Sequence, residues 1–111
     1  MSDEQLAQPG DTYASMIHYV VPATLDVLTG PRTGVLELPK HIDWSPDNRY
    51  DLSLRDDAIT FYSKVISEAA SVEDLTNLIN RDLLLTLWPS LRLPRRCAGL
   101  WTRAFPELGH R

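Results

Sequence analysis

Histidine and cysteine side chains are the usual nucleophiles, general bases and zinc ligands of proteins, and this chain contains only four of them. They are His18, His41, His110 and Cys97. A nucleophilic triad needs a Ser or Cys beside a His that a third group orients. A structural zinc site needs about four Cys and His ligands at close spacing. The scattered positions match neither pattern, so the sequence predicts no catalytic residue and no metal ligand.

Other chemical signatures are also missing from the sequence. It contains no Gly-rich phosphate loop and no dinucleotide-binding fingerprint. The adjacent carboxylates of Asp56 and Asp57 suit the positive end of a helix dipole, which explains them without acid–base catalysis. Cys97 has apolar neighbours and is expected to be a small buried filler. We therefore expect a protein that is not an enzyme and takes no cofactor or small-molecule ligand.

Charge is distributed unevenly along the 111 residues, whose formal net charge is −4. Residues 1–89 hold six Lys/Arg against 14 Asp/Glu, whereas residues 90–111 hold five Arg against one Glu. The acidic balance argues against a dedicated nucleic-acid-binding module, which gains affinity by neutralising phosphates. The acidic N-terminus is unlike a signal peptide, and no apolar run approaches the ~20 residues that span a bilayer. We therefore expect a cytoplasmic protein without a membrane segment.

The spacing of apolar residues predicts a mainly α-helical fold with about five helices. They belong to a small single domain, residues 11–111, which follows a flexible tail, residues 1–10. Between the first helix and the rest lies an irregular segment at about residues 31–52, whose prolines break any long element. A loop of this length is unusual inside a compact domain. It is either functional or a segment that only wraps over the core.

Capping residues mark where the helices begin. A first helix starts after Asp11 or Thr12 and stops before Gly30, with a kink or break at Pro22. Serines at positions 53 and 71 each precede an aspartate by three residues, a capping-box-like pattern with Asp in the place usually held by Glu or Gln. The clearest helix covers about residues 54–70, where apolar residues recur at spacings of three and four. The remaining predicted starts are Ser71, Asn80 and, for a last helix at about 94–104, Pro94.

Large aromatic side chains are frequent in so short a chain, which has three Trp and four Tyr. Such side chains dominate protein-interface hot spots and are also ordinary core residues. For Trp88, on a leucine-rich helix, a core position is favoured. Trp44 lies in the irregular segment, where burial under the chain and burial in a partner are equally open. Trp101 lies next to arginines, beneath whose stems it is expected to pack.

Aspartates are concentrated between residues 43 and 57, where five of them accompany two arginines. One interpretation is a solvated face with a helix cap. The other is an acidic patch that docks on a basic partner surface, because charge complementarity sets encounter rate and specificity. An inhibitor of a nucleic-acid-handling enzyme needs such a patch, since the cleft of that enzyme is positive.

Three short stretches resemble one family of proteins. They are residues 38–46 (Leu-Pro-Lys-His-Ile-Asp-Trp-Ser-Pro), residues 50–52 (Tyr-Asp-Leu), and residues 83–88 followed by Leu-Arg-Leu-Pro-Arg-Arg at 91–96 and Trp101. They are similar to small actinobacterial proteins encoded beside AbiEii-type nucleotidyltransferase toxins, above all to the antitoxins of mycobacterial Men-type systems. The similarity covers about residues 38–106. In that family the toxin adds nucleotides to tRNA acceptor ends, and the antitoxin blocks it by direct binding.

The resemblance implies an antitoxin whose partner is a cognate nucleotidyltransferase toxin. The chain lacks room for the separate winged-helix DNA-binding domain of larger antitoxins. Segment 38–52 and helix 54–70 are expected to present aromatic and acidic side chains to the basic cleft of the toxin. The predicted partner-binding residues are Trp44, Tyr50, Asp51, Asp56, Asp57, Trp88, Arg95, Arg96 and Trp101.

Two other functions fit the sequence. One is a small DNA-binding regulator in which residues 53–88 form a helix-turn-helix and arginines of the last helix meet phosphates. The acidic remainder of the chain counts against it. The other is an enzyme subunit or structural adaptor with no toxin involved.

Overall fold

α-Helices dominate the described part of the chain. The computed structural model describes residues 18–109. In this range no helix is long and apolar enough to cross a membrane. The fold is mainly α-helical, with four α-helices in the described range where about five were predicted for the chain. The helices are α1 (Arg55–Glu68), α2 (Val72–Leu78), α3 (Arg81–Leu87) and α4 (Arg95–Ala104); the strands are β1 (Val35–Glu37) and β2 (Arg49–Asp51); and 3-10 turns lie at Leu25–Val27, Trp88–Ser90 and Pro106–Leu108.

Side-chain caps begin α2 and α3, as the sequence predicts. The Ser71 hydroxyl accepts a hydrogen bond from the backbone N–H of Asp74 at 3.3 Å. The side-chain oxygen of Asn80 accepts hydrogen bonds from two N–H groups of α3. The capping box predicted at Ser53 is wrong, because α1 begins without a side-chain cap. The Ser53 hydroxyl instead donates to the carboxylate of Asp51 at 2.6 Å.

The core lies between α1 and the helices that follow it. Trp88 and Trp101 are both fully buried, and their ring centroids lie 6.4 Å apart. Cys97, from α4, is also fully buried, which confirms its predicted place in the core. The Tyr62 hydroxyl accepts a hydrogen bond from the N–H of Asn80 at 3.0 Å, and burial raises the pKa of Tyr62 to about 12. The buried side chains of α1 that complete this core are Ala58, Ile59, Phe61, Tyr62, Val65 and Ile66.

The segment before β1 is extended, because it pairs with the junction between α2 and α3. The N–H of Gly30 donates to the carbonyl of Ile79 at 2.8 Å, and that of Arg81 donates to the carbonyl of Leu28 at 3.0 Å. Residues 18–28 therefore contain only the 3-10 turn at Leu25–Val27, and the helix predicted there is wrong. The physical cause of this difference is the long-range pairing, which replaces helical hydrogen bonds. The part of the predicted helix at 11–17 lies outside the described residues.

We expect Gly30→Ala to lower the free energy of unfolding by roughly 1–3 kcal/mol, a typical cost of overpacking. A Cβ at Gly30 would lie 2.7 Å from the backbone nitrogen of Ile79 and 2.7 Å from the backbone carbon of Leu78. Backbone atoms held in a pairing cannot move aside as a side chain does. Urea unfolding followed by circular dichroism measures the change. Gly34→Ala has open space around it but a positive φ of 103°, so it separates steric overlap from backbone strain.

The predicted irregular segment contains more order than expected. The pair β1 and β2 is antiparallel, with Leu36 opposite Tyr50. Between the strands, residues 38–48 form a loop whose ends are joined. The N–H of Leu38 donates to the carbonyl of Asn48 at 2.9 Å, and the Asn48 amide donates back to the Leu38 carbonyl at 2.7 Å.

Candidate interaction surface

A large exposed side chain lies on the loop between β1 and β2. Trp44 is 85% exposed, whereas the other two tryptophans are fully buried. Its neighbour Ile42 points the other way and is buried in the core, as is Leu38 at the start of the loop. The loop is thus anchored on its inner side while the indole of Trp44 stands in solvent. We call residues 38–48 the Trp44 loop.

The carboxylate of Asp43 fixes the Trp44 loop from inside. It is 3% exposed and accepts hydrogen bonds from the Ser45 N–H at 3.1 Å, the Ser45 hydroxyl at 2.7 Å and the Tyr50 hydroxyl at 2.5 Å. The Lys64 ammonium of α1 lies 3.8 Å away. The hydrogen bond from Tyr50, then those from Ser45, hold the pKa of Asp43 below its ordinary value although burial opposes this. Asp43 is therefore ionised at neutral pH.

Tyr50 connects the Trp44 loop to α1. Its ring packs edge-on against Phe61 with centroids 6.0 Å apart, and the side chain is half-buried. Burial, and then the hydrogen bond to the Asp43 carboxylate, raises the pKa of the Tyr50 hydroxyl, which therefore stays protonated as a donor. The hydroxyl of this predicted partner-binding residue is thus engaged within the chain.

Hydrogen bonds within the loop and to α2 also hold the Trp44 loop in place. The N–H groups of Ile42 and Asp43 both donate to the carbonyl of Pro39 at 3.0 Å. The His41 ring lies 2.9 Å from the carboxylate of Asp74, at the start of α2. Burial raises the pKa of Asp74, but the hydrogen bonds from His41 and from backbone N–H groups outweigh it, so the pKa lies below its ordinary value. The loop is tied to two helices as well as to its own strands.

A groove of about 560 Å³ opens beside Trp44. The Trp44 loop lines one part of it, α1 contributes Lys64 and Glu68, and the segment before α4 contributes Arg92. The buried hydroxyl of Ser63, also in the lining, accepts a hydrogen bond from the N–H of Arg92 at 2.9 Å. The groove therefore combines an exposed indole with charged groups of both signs.

The predicted acidic residues Asp51, Asp56 and Asp57 lie at the end of β2 and the beginning of α1. The Asp57 carboxylate accepts a hydrogen bond from the N–H of Asp51 at 3.0 Å, which ties β2 to α1. The Asp51 carboxylate accepts hydrogen bonds from the hydroxyl and N–H of Ser53, which lower its pKa. Asp56 is exposed and Asp57 is half-buried. The structure thus brings three of the predicted aspartates together.

The exposed side of α1 joins the acidic residues to the groove. Its solvent-facing side chains recur at spacings of three and four, as expected for one helix face. We call this face, Trp44 and the groove together the Trp44 surface. The side chains of α1 on this face are Asp56, Asp57, Thr60, Lys64, Ser67 and Glu68.

The structure buries two of the residues that were predicted to bind a partner. Trp88 and Trp101 are each 0% exposed. Their rings pack on each other, and the Trp101 ring also packs on that of Phe105, with ring centroids 5.7 Å apart. Neither offers surface to a partner in this fold. Arg95 and Arg96 are exposed in the first turn of α4, just after the residues that line the groove.

Sequence reasoning missed several residues that build this surface. Asp43 was counted only as one of several acidic residues, although its spacing from Ser45 is that of a side-chain turn. Lys64 and Arg92 carry no sequence signal for their position, because they meet in the groove through tertiary packing. Among residues 18–109, no three His, Cys, Asp or Glu side chains lie where they could hold a metal ion.

No family model, curated protein or solved structure matches this chain.

Proposed function

We propose that this protein binds another protein through the Trp44 surface. The observation that carries the proposal is the 85% exposure of Trp44 on a loop held by the Asp43 carboxylate. An exposed indole gains nothing for the stability of its own chain. Tryptophan is one of the residues most enriched in interface hot spots. A loop fixed before binding loses little conformational entropy on association, so the binding energy of the indole is not spent on ordering it.

The proposed partner is a nucleotidyltransferase toxin of the AbiEii type in the cytoplasm, which this protein inhibits as an antitoxin. Residues 38–46, which resemble Men-type antitoxins, coincide with the Trp44 loop. The cleft of an enzyme that binds tRNA and nucleoside triphosphate is basic. Asp51 at the end of β2 and Asp56 and Asp57 at the start of α1 would face it with complementary charge, which accelerates encounter and selects the partner.

Trp44→Ala tests this proposal. Co-expression with the product of the neighbouring gene, followed by size-exclusion chromatography, gives the complex, and calorimetry measures its affinity. We expect the variant to bind roughly 30-fold more weakly, the loss that corresponds to a hot spot of about 2 kcal/mol. Val72→Ala, at a large side chain that is 44% exposed and lies outside the Trp44 surface, is the matched control and should keep the affinity. Equal affinities for both variants would remove Trp44 from the interface.

A charge reversal tests the acidic part of the same proposal. Reversing Asp51, Asp56 and Asp57 together should weaken the complex and restore toxicity. Because Asp51 and Asp57 also join β2 to α1, Asp56→Lys is the cleaner single variant. It should slow association at low salt. Glu73→Lys, at an exposed acid of α2, is the control, and an equal effect of both would mean that only net charge matters.

The helix-turn-helix alternative receives less support from α3, the helix that would read bases. Its exposed polar side chains are Arg81, Asp82 and Thr86. The Arg81 guanidinium lies 3.6 Å from carboxylates of both Asp26 and Asp82. Base reading needs several free donors and acceptors at the start of the helix, and Arg81 is already paired.

A further inference from the structure

The C-terminal part of the chain has a charge pattern of which the Trp44 surface contains only Arg92, in the groove. Residues 83–106 contain four arginines and no Asp or Glu. These arginines are Arg92, Arg95, Arg96 and Arg103, and all are exposed. Elsewhere in the described chain Arg32, Lys64 and Arg81 lie within 4.0 Å of carboxylates, whereas Lys40, Arg49 and Arg55 do not. Within residues 18–109, Arg92, Arg95 and Arg103 have no such neighbour.

The geometry of α4 places a glycine among these arginines. Cys97 and Trp101 are the buried residues of the helix, so at 100° per residue the opposite face is centred on Gly99. Arg95 and Arg103 lie on either side of that centre. A Cβ at Gly99 would meet only the Nη1 atom of Arg103, at 4.0 Å. The face is thus flat at its middle and positively charged at its edges.

This face lacks what a protein interface needs at its centre. Stable protein interfaces bury apolar anchors. The exposed large apolar side chains among the described residues all precede residue 73: Val27, Val35, Trp44, Leu54 and Val72. A phosphate backbone needs no apolar anchor, because counterion release supplies the affinity. Arginine also suits phosphate, to which it donates two parallel hydrogen bonds.

We propose that the α4 arginine face, formed by Arg95 and Arg103 on either side of Gly99 and by Arg92 shortly before the helix, binds the phosphate backbone of a nucleic-acid duplex without reading its sequence. The flat backbone at Gly99 lets a phosphate approach closely between the guanidinium groups. No aromatic ring is exposed on α4, so single strands, which bind by base stacking, are not the expected ligand. This inference does not depend on the proposed partner of the Trp44 surface.

Fluorescence anisotropy with a labelled DNA duplex, and with an RNA duplex of the same sequence, tests the proposal on the full chain. Three phosphate contacts predict a log–log salt slope of about −2.7 for DNA, or a roughly 40-fold loss of affinity between about 50 and about 200 mM salt. Binding to either duplex supports the proposal, and the ratio of the two affinities tells which nucleic acid is preferred. Absence of binding at the lower salt concentration overturns it.

Two sets of variants locate the site. Gly99→Glu places a carboxylate at the centre of the face and should weaken binding at least about tenfold, while Gly99→Ala, which favours the helix, should keep it. Arg92, Arg95 and Arg103 changed together to Gln should flatten the salt slope. Changing Arg32, Arg49 and Arg55 to Gln removes the same amount of charge and should leave most of the salt dependence of the affinity.

Three results would overturn the assignment. One is equal weakening by the two arginine triples, which would mean a net-charge effect. Another is unchanged binding by Gly99→Glu. The last is polyglutamate binding in place of the duplexes, which would make the face a site for an acidic protein. Trp44→Ala should bind duplex normally, so this proposal and the proposed function can fail separately.

Discussion

Replacing Trp101 by alanine is expected to lower the free energy of unfolding by about 3–5 kcal/mol, the range for a large aromatic side chain removed from a core. Trp101 is fully buried and packs against Trp88 and Phe105. Small domains have total stabilities of about 5–15 kcal/mol. The variant should therefore unfold at a much lower urea concentration and populate the unfolded state measurably at 37 °C.

Trp44→Ala is the control for this measurement, because a surface substitution usually changes stability by less than about 0.5 kcal/mol. Trp101→Phe is a second comparison. It keeps much of the buried ring and removes an indole N–H that has no acceptor among the described residues. It should cost less than Trp101→Ala. If Trp101→Ala and Trp44→Ala were equally stable, the division into one exposed and two core tryptophans would be incorrect.

The aromatic content of the sequence alone does not tell which of the three tryptophans is exposed. Sequence reasoning favoured the core for Trp88 and left Trp44 open between core and interface. Helical spacing in a leucine-rich stretch indicates burial, since a helix that is apolar on several faces has no exposed side. No such period exists in residues 38–48. Whether Trp44 faced the core depended on the direction that Asp43 and Ile42 impose on the loop, which is a tertiary effect.

Local signals predicted the later helices well. The region predicted as helix at about 54–70 contains α1, and the caps at Ser71 and Asn80 are formed as expected. These signals act over three or four residues and need no distant partner. The early helix is wrong over the described residues 18–28 because Gly30 and Leu28 pair with Ile79 and Arg81, some fifty residues later in the chain. Within residues 18–28, Pro22 disfavours a continuous helix, but no local pattern indicates the pairing with Ile79 and Arg81.

Net charge alone does not describe the two proposed surfaces. The chain is acidic as a whole, yet four exposed arginines lie on and just before α4, whereas Asp51, Asp56 and Asp57 lie at the end of β2 and the start of α1. Whole-chain charge governs solubility and long-range steering, but contacts depend on the local sign. The two proposed surfaces would use both signs on separate elements, acidic side chains at the start of α1 and arginines on α4.

Asp43→Asn is the second substitution with a large expected effect. It removes the charge that accepts hydrogen bonds from Ser45 and Tyr50 and lies 3.8 Å from Lys64. Hydrogen bonds to a charged group contribute about 1.5–3 kcal/mol, so we expect a loss of about 2 kcal/mol at neutral pH. Partner binding should weaken too, because Trp44 would no longer be held before association. Asp47→Asn, at an exposed position in the same loop, should change neither property.

The pH dependence of stability separates the charge of Asp43 from its shape. The pKa of Asp43 is lowered by folding, from an ordinary value of about 3.9. Its contribution is therefore complete above that value and is lost as the pH falls through the lower pKa of the folded state. Urea unfolding from neutral to acid pH gives the free energy of unfolding of the wild type and of Asp43→Asn. The two curves of this free energy against pH should converge below about pH 4. Curves that stay parallel would show that the charge of Asp43 does not stabilise the loop. Asp51 and Asp74, whose pKa values are also lowered, remain in both proteins, so only the difference between the curves belongs to Asp43.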